Sequence, residues 1–180
     1  MKPEIIAISG LPASGKSTLA KMLAKKSKYN YLHTGKLFRS LAKKKNMTLS
    51  EFEVYCLKHP NYDIKIDKQM LSYVKTHNQV IYDGHISGPL CFKHKIPSIK
   101  IWVNITKNLR IERIALRENI SKNKAKELIN HREKFLTKRY KKLYNIKYYD
   151  KSVYDLIIDN KPLPKTVLSN TLKALKSLDK

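Results

Sequence analysis

Gly10-Leu11-Pro12-Ala13-Ser14-Gly15-Lys16-Ser17 fits G-x-x-x-x-G-K-[ST], a phosphate-binding loop. The residues on either side fit as well. Ile5, Ile6, Ala7 and Ile8 form a short apolar run before it, the pattern of a buried parallel strand. After it, Leu19 and Leu23 lie four residues apart, a helical spacing. A strand, a glycine-bearing turn and a helix in that order let backbone N–H groups converge on a polyphosphate, and the helix N-terminus adds partial positive charge. Lys16 is placed to reach the β- and γ-phosphates, and the Ser17 hydroxyl to ligate Mg²⁺.

Outward from the loop, the same alternation repeats. Strand-like runs are expected at 4–9, 29–33, 79–83, 99–105 and 154–159. Helical stretches are expected at 15–28, 35–46, 48–58, 62–76, 106–118, 121–144 and 164–178. Thr48-Leu49-Ser50-Glu51 is a capping box that marks one helix start sharply. Thr106 and Ser121 are expected N-caps. Strands alternating with helices predict a three-layer α/β fold, a five-stranded parallel sheet flanked by helices on both faces. Its site belongs at the carboxyl ends of the strands, where the phosphate loop already lies. Residues 35–76 insert more helix between two strands than a crossover needs. Residues 119–151, rich in basic side chains and tyrosines, form a second candidate insertion.

The chain has 180 residues, enough for one domain with a sizeable core. A hydrophobic fraction of 42% excludes a disordered chain. The formal net charge is +24, with lysines along almost every segment. Such a charge attracts polyanions, among them nucleotides, nucleic acids and anionic lipid surfaces. The plainer reading is solvated helix faces. No nucleic-acid-binding motif accompanies the lysines, so no specific nucleic-acid partner is expected. Cys56 and Cys91 are the only cysteines and stand far apart, which argues against a zinc site or disulfide scaffold. No signal peptide is expected ahead of the first strand, and no apolar run approaches the roughly 18 residues of a membrane span. A monomeric, cytoplasmic protein without a membrane partner is expected.

Several side chains suit phosphate chemistry. Arg39 lies one helical turn beyond Gly35, over a strand end, and arginine captures phosphate bidentately; the alternative is a solvated surface arginine. Asp83 ends the apolar strand Val80-Ile81-Tyr82 and can hold Mg²⁺ through its waters, a Walker-B-like partner for Ser17. Alternatively it is a turn residue. Arg132 and Arg139, seven positions apart on one helix, share a face about 10 Å along the axis and can clamp a polyphosphate. Arg110, Arg113 and Arg117 make a similar face, for which plain surface charge is the simpler account. A strong general base is not required if the acceptor is a phosphate, because a monophosphate with a second pKa of about 6 is already largely dianionic at neutral pH.

Together these segments resemble the nucleoside-monophosphate kinases, most closely the archaeal-type cytidylate kinases. The resemblance spans nearly the whole chain. It is carried by GLPASGKST, HTGKLFRSLA, MTLSEFEVY, Tyr62-Asp63-Ile64-Lys65-Ile66-Asp67 with Gln69, VIYDGHISG, IKIWVN, ERIALRE, Arg132-Glu133 with Lys138-Arg139-Tyr140, and SVYDLIIDN. It implies that Gly10, Leu11, Pro12, Ala13, Ser14, Gly15, Lys16, Ser17 and Thr18 hold ATP. It implies that 35–76 binds the monophosphate, with Thr34, Gly35, Arg39, Asp63, Asp67, Gly84 and His85 on the acceptor side. The segment at about 119–151 is then a lid, its Arg132 and Arg139 joining Lys16 as catalytic residues. Two positions depart from the pattern. His85 stands where relatives usually carry an arginine at the acceptor phosphate, so a histidine with its pKa raised by the dianion is expected there; the alternative is a packed turn residue, with the other arginines sufficing. Lys138 stands where an arginine is common, offering a point charge but no planar fork.

The function this implies is ATP- and Mg²⁺-dependent phosphorylation of CMP and dCMP to the diphosphates. The alternatives are the same chemistry on AMP or UMP, or a phosphate-loop polynucleotide kinase or RNA-associated protein. Cytosine preference rests on the resemblance alone.

Overall fold

Five strands, β1 (Ile5–Gly10), β2 (Asn30–His33), β3 (Val80–Asp83), β4 (Ile99–Asn104) and β5 (Leu156–Asp159), form one parallel sheet in the order β2-β3-β1-β4-β5. The computed structural model describes residues 4–147, 149–161 and 163–178. Eight α-helices connect or flank the described strands: α1 (Lys16–Ser27), α2 (Thr34–Lys44), α3 (Leu49–Lys58), α4 (Asn61–Thr76), α5 (Ser87–Lys93), α6 (Lys107–Glu118), α7 (Lys122–Tyr144) and α8 (Pro164–Ser177). Residues 1–3 and 179–180 of the expected single domain, and Tyr148 of the expected lid, lie outside the described residues.

The sheet is apolar on both faces because helices cover both. Side chains alternate along β1, so Ile5 and Ala7 join one core while Ile6 and Ile8 join the other. The first core packs Val80 and Tyr82 of β3 against Phe38, Phe52, Ile66, Met70 and Leu136 of the insertion and α7. The second packs Ile81, Ile101 and Ile158 against Leu19 and Leu23 of α1 and Val167 and Leu175 of α8. A small third core, Ile111 and Ile114 against Ala125 and Ile129, zips α6 to α7. Full burial of each such aliphatic side chain stabilises the fold by about 1.5–3 kcal/mol. Cys56 and Cys91 are buried free thiols, as expected.

Register places the chemistry. Ile8 pairs with Asp83 across β1 and β3, and His33 pairs with Asp83 across β2 and β3. Gly10, His33 and Asp83 therefore end their strands at one edge of the sheet, where a strand-order reversal around β1 opens a crevice.

All five expected strands and all seven expected helices form, with ends shifted by a residue or two. The capping box closes as expected: the Thr48 amide donates to Glu51 Oε2 at 2.7 Å and the Glu51 amide to Thr48 Oγ1 at 3.3 Å. Ser121 caps α7 by accepting from the Lys124 amide. Thr106 sits at the N-cap of α6 but makes no side-chain capping bond, a correction to the expected cap. The helix α5 was not expected. Ser87-Gly88-Pro89 reads locally as a turn, yet the segment winds because burial against β1 overrides propensity. Among the described residues, no helix is long and apolar enough to cross a membrane.

Candidate active site

The phosphate loop joins the end of β1 to the start of α1. Gly15 is the N-cap of α1 with φ of +82°, a left-handed conformation suited to glycine. A side chain there would also collide with Asn160 and Arg113. The first amides of α1 have no acceptor within the helix, so they and the helix dipole face the cleft as an anion cradle. Lys16 stands beside them. Burial lowers its pKa to about 8; Asp83 opposes that shift, while Arg132, Arg39 and Arg117 add to it. A cation so crowded by other cations gains most from an arriving polyphosphate.

Asp83 is fully buried at the cleft floor. Its Oδ2 accepts from the Tyr31 hydroxyl at 2.7 Å and lies 3.5 Å from His33 Nε2. The Tyr31 hydroxyl also interacts with the Ser17 hydroxyl. The other carboxylate oxygen, Oδ1, is buried without a partner among the described residues. An orphaned carboxylate oxygen beside a loop serine, in a nest of cations, suits a hydrated divalent cation. The residues present thus fit Mg²⁺.

The same cleft, about 360 Å³, is lined by Lys16, Ser17, Thr34, Gly35, Arg39, Asp63, Asp67, Asp83, Gly84, His85, Arg132 and Arg139. The expected acceptor-side residues therefore meet Pro12, Ala13, Gly15, Lys16, Ser17 and Thr18 of the expected donor side in one space, while Gly10, Leu11 and Ser14 do not line it. Arg39 reaches it from α2 with its side chain otherwise exposed. Thr34 and Gly84 approach so closely that a side chain at Gly84 would meet the Thr34 hydroxyl.

The cations of α7 are not free, as a simple clamp would have them. Arg132 pairs with Glu53 of α3, Nη2 to Oε1, at 3.1 Å. Arg139 is buried and grips Asp63 of α4 bidentately, its Nε donating to Oδ2 at 2.6 Å and Nη2 to Oδ1. Its guanidinium also lies 4.8 Å from the Phe38 ring centroid. Tyr144, one further turn along, donates to Asp67 Oδ2 at 2.6 Å. Burial raises the Asp67 pKa to about 6, with that hydrogen bond opposing the shift. Three contacts thus strap α7 across the insertion.

His85 lines the cleft and bonds to the phosphate loop. Its Nδ1 lies 3.0 Å from the Gly10 carbonyl, so that nitrogen carries the proton and donates. Burial, Lys16 and Arg132 push the ring well below the ordinary histidine range. The raise expected from a dianionic acceptor belongs to the phosphate-bound site; in these cationic surroundings the ring braces the loop.

Some participants were invisible or misjudged in the sequence. Arg110 is buried, not surface charge: it pairs with Glu133 and donates to the Pro12 carbonyl at 3.4 Å. Arg113 donates to the Ser14 carbonyl at 3.4 Å and the Asn160 carbonyl at 2.8 Å. Only their spacing from Arg117 on one helix face hinted at this. Tyr31 was not singled out, and Glu53 and Asn160 stood only inside the resembling segments MTLSEFEVY and SVYDLIIDN with no role read for them, because their roles depend on contacts far apart in the chain. A second hollow, about 440 Å³, lies beyond Gly15 and is lined by Thr18, Met22, Arg113, Arg117, Asn160 and Pro164, among others.

A model of the cytidylate kinase-like family matches residues 5–162. Relatives named cytidylate kinase include one from Pyrococcus furiosus, 38% identical over 97% of this chain and 90% of that protein. Another, from Methanococcoides burtonii, is 33% identical over 94% of each chain. Among solved structures, a gluconokinase from Sinorhizobium meliloti aligns with a TM-score of 0.67 at 12% identity, covering 98% of this chain and 94% of that one. Shikimate kinase from Aquifex aeolicus aligns at 0.60 and 16% identity, covering 97% and 98%. At such identities these two share the fold alone, a parallel sheet whose central strand feeds a phosphate loop. The matches in sequence go further, running through the loop, the insertion and α7: the chain belongs to the cytidylate kinase-like family.

Proposed function

We propose that this protein transfers the γ-phosphoryl group of ATP to CMP and dCMP. One arrangement carries the reading: the phosphate loop, Arg39 and the paired arginines of α7 open into a single cleft. The loop amides and Lys16 take the ATP phosphates, and the adenosine lies in the hollow beyond Gly15 beside Arg117. Ser17 and, through water, Asp83 would hold Mg²⁺, which neutralises phosphate charge when bound. Arg39 takes the acceptor phosphate, and the insertion at 35–76 forms the acceptor pocket. Segment 119–151, with α7 at its centre, is the lid.

The acceptor base faces Asp63 and Arg139. Cytosine presents an amine donor beside two acceptors; a carboxylate next to a guanidinium is the complement. Uracil offers no amine, and Asp63 then meets a carbonyl. Phe38, Ile66, Leu136 and Tyr140 supply apolar walls. Chemistry reduces to alignment and charge neutralisation, with Arg132 leaving Glu53 for the transferring group. A coupled ADP-release assay across CMP, dCMP, UMP, AMP and GMP tests the reading. Turnover is expected with CMP and dCMP well above the rest; preference for AMP or UMP overturns the assignment.

A further inference from the structure

Asn160 is buried just beyond β5, on the far side of the phosphate loop from the cleft. Its backbone amide donates to the Asn104 carbonyl at 2.8 Å, which ties it to the end of β4. Its side-chain amide packs on Gly15 and donates to the Ser14 carbonyl. Arg113 adds a second donor to that carbonyl at 3.4 Å and reaches back to the Asn160 carbonyl at 2.8 Å. One loop carbonyl therefore receives two side-chain donors from two other elements. A trans peptide points its C=O and its N–H in opposite directions. Holding the Ser14 carbonyl toward Asn160 and Arg113 holds the Gly15 N–H toward the phosphate cradle. Left free, this peptide could rotate at the left-handed Gly15 and present a carbonyl to the phosphates.

We propose that Asn160, braced by Arg113, is a positioning residue that locks the Ser14–Gly15 peptide in its anion-binding orientation. The lock touches no reacting atom and acts through the loop. It rests on the reading of the loop as the ATP site.

Because Asn160 also lines the hollow proposed for the adenosine, the test is binding of both ADP and pyrophosphate, which leaves that hollow empty, by calorimetry, with CMP binding to the nucleotide-free enzyme as the acceptor-side control. Asn160→Leu fills the same space without a donor. It is expected to weaken ADP roughly tenfold, the loss of a phosphate hydrogen bond, while CMP binding and Tm stay close to the parent. The Gly15 amide cross-peak reports the peptide directly: its shift on adding pyrophosphate should shrink in the variant. Asn160→Asp replaces the donor by an acceptor that repels the Ser14 carbonyl, and should cut ADP binding further; it serves as the test if the leucine variant does not fold. ADP binding and a Gly15 shift unchanged from the parent would overturn the lock, as would a loss of ADP with pyrophosphate binding intact or equal losses of ADP and CMP. If the parent protein itself fails to bind ADP, it is the ATP-site reading that falls.

Discussion

The two halves of the cleft are built on opposite principles. On the donor side, groups are left open for the ligand: Lys16 has no carboxylate bonded to it among the described residues, and Asp83, held by Tyr31 through one oxygen, keeps the other unpartnered. On the acceptor side, the charged groups other than Arg39 hold one another. Arg139 grips Asp63, Arg132 pairs with Glu53 and Tyr144 donates to Asp67. On the proposed reading, the donor half carries the cost of crowded cations around a half-buried Lys16 and would recover it when ATP arrives. Arg39 apart, the acceptor half has already neutralised its charges, and these contacts also hold α7 to the insertion. A donor-side change should therefore cost activity, and an acceptor-side change should cost stability as well.

The sharpest break of that contrast comes from Arg139→Ala. It strands Asp63 as a buried, unpaired carboxylate, and the expected loss is about 3–5 kcal/mol of stability. Urea denaturation measures it; a loss below about 1 kcal/mol would place the pair with weak surface bridges. Replacing both partners, as Asp63→Leu with Arg139→Met, should recover stability but not CMP turnover.

Lys16→Ala is the donor-side counterpart. Removing a cation aimed at developing charge should lower kcat roughly a hundred- to a thousandfold. Tm should hold or rise slightly, since the buried ammonium is itself costly. Near-parental kcat would remove the loop from the mechanism.

Arg39→Ala separates the halves from the middle. Losing a charge-assisted phosphate contact costs about 1.5–3 kcal/mol, a roughly ten- to hundredfold rise in the KM for CMP. The KM for ATP should barely move. Equal rises would show that Arg39 serves both nucleotides.

A pH titration sharpens the donor side further. With the Lys16 pKa lowered to about 8 in the free protein, phosphate binding must draw a proton onto it above that pH. ADP affinity should then fall as pH climbs from about 8 towards 10, by up to about tenfold per unit. ADP itself has finished titrating by then, its terminal phosphate having a pKa of about 6. The sign for folding is opposite: the unfolded chain, with lysine at 10.5, binds more protons than the native one between about 8 and 10.5, so stability gains from this group as pH rises through that window. Flat ADP affinity across that range would mean Lys16 is not desolvated.

The smallest effect is expected at His85. Asparagine can supply a donor to the Gly10 carbonyl in place of Nδ1, so His85→Asn should leave the pH profile of the CMP KM unchanged between about 6 and 8. A profile that flattens in the variant would restore a cationic His85.

How far the sequence reached follows the same divide. The loop motif, the apolar strand before it and the capping box at Thr48 are local patterns, and each formed where it was read. The alternation of strands and helices sufficed for a five-stranded parallel sheet, since neither segment type can bury its apolar face alone. Lys16, Ser17 and Asp83 were legible because backbone geometry places them: one loop and one strand end decide where they stand. The charge state of His85, the burial of Arg110 and the partners of Arg132 and Arg139 were not legible. Each depends on which groups arrive from elsewhere: Gly10 lies 75 residues from His85, and Asp63 lies 76 from Arg139. An arginine in a helix reads the same whether it faces water, a phosphate or a carboxylate. Only packing α7 across the insertion and closing β5 against the loop determined which, because desolvation and pairing are properties of neighbours in space.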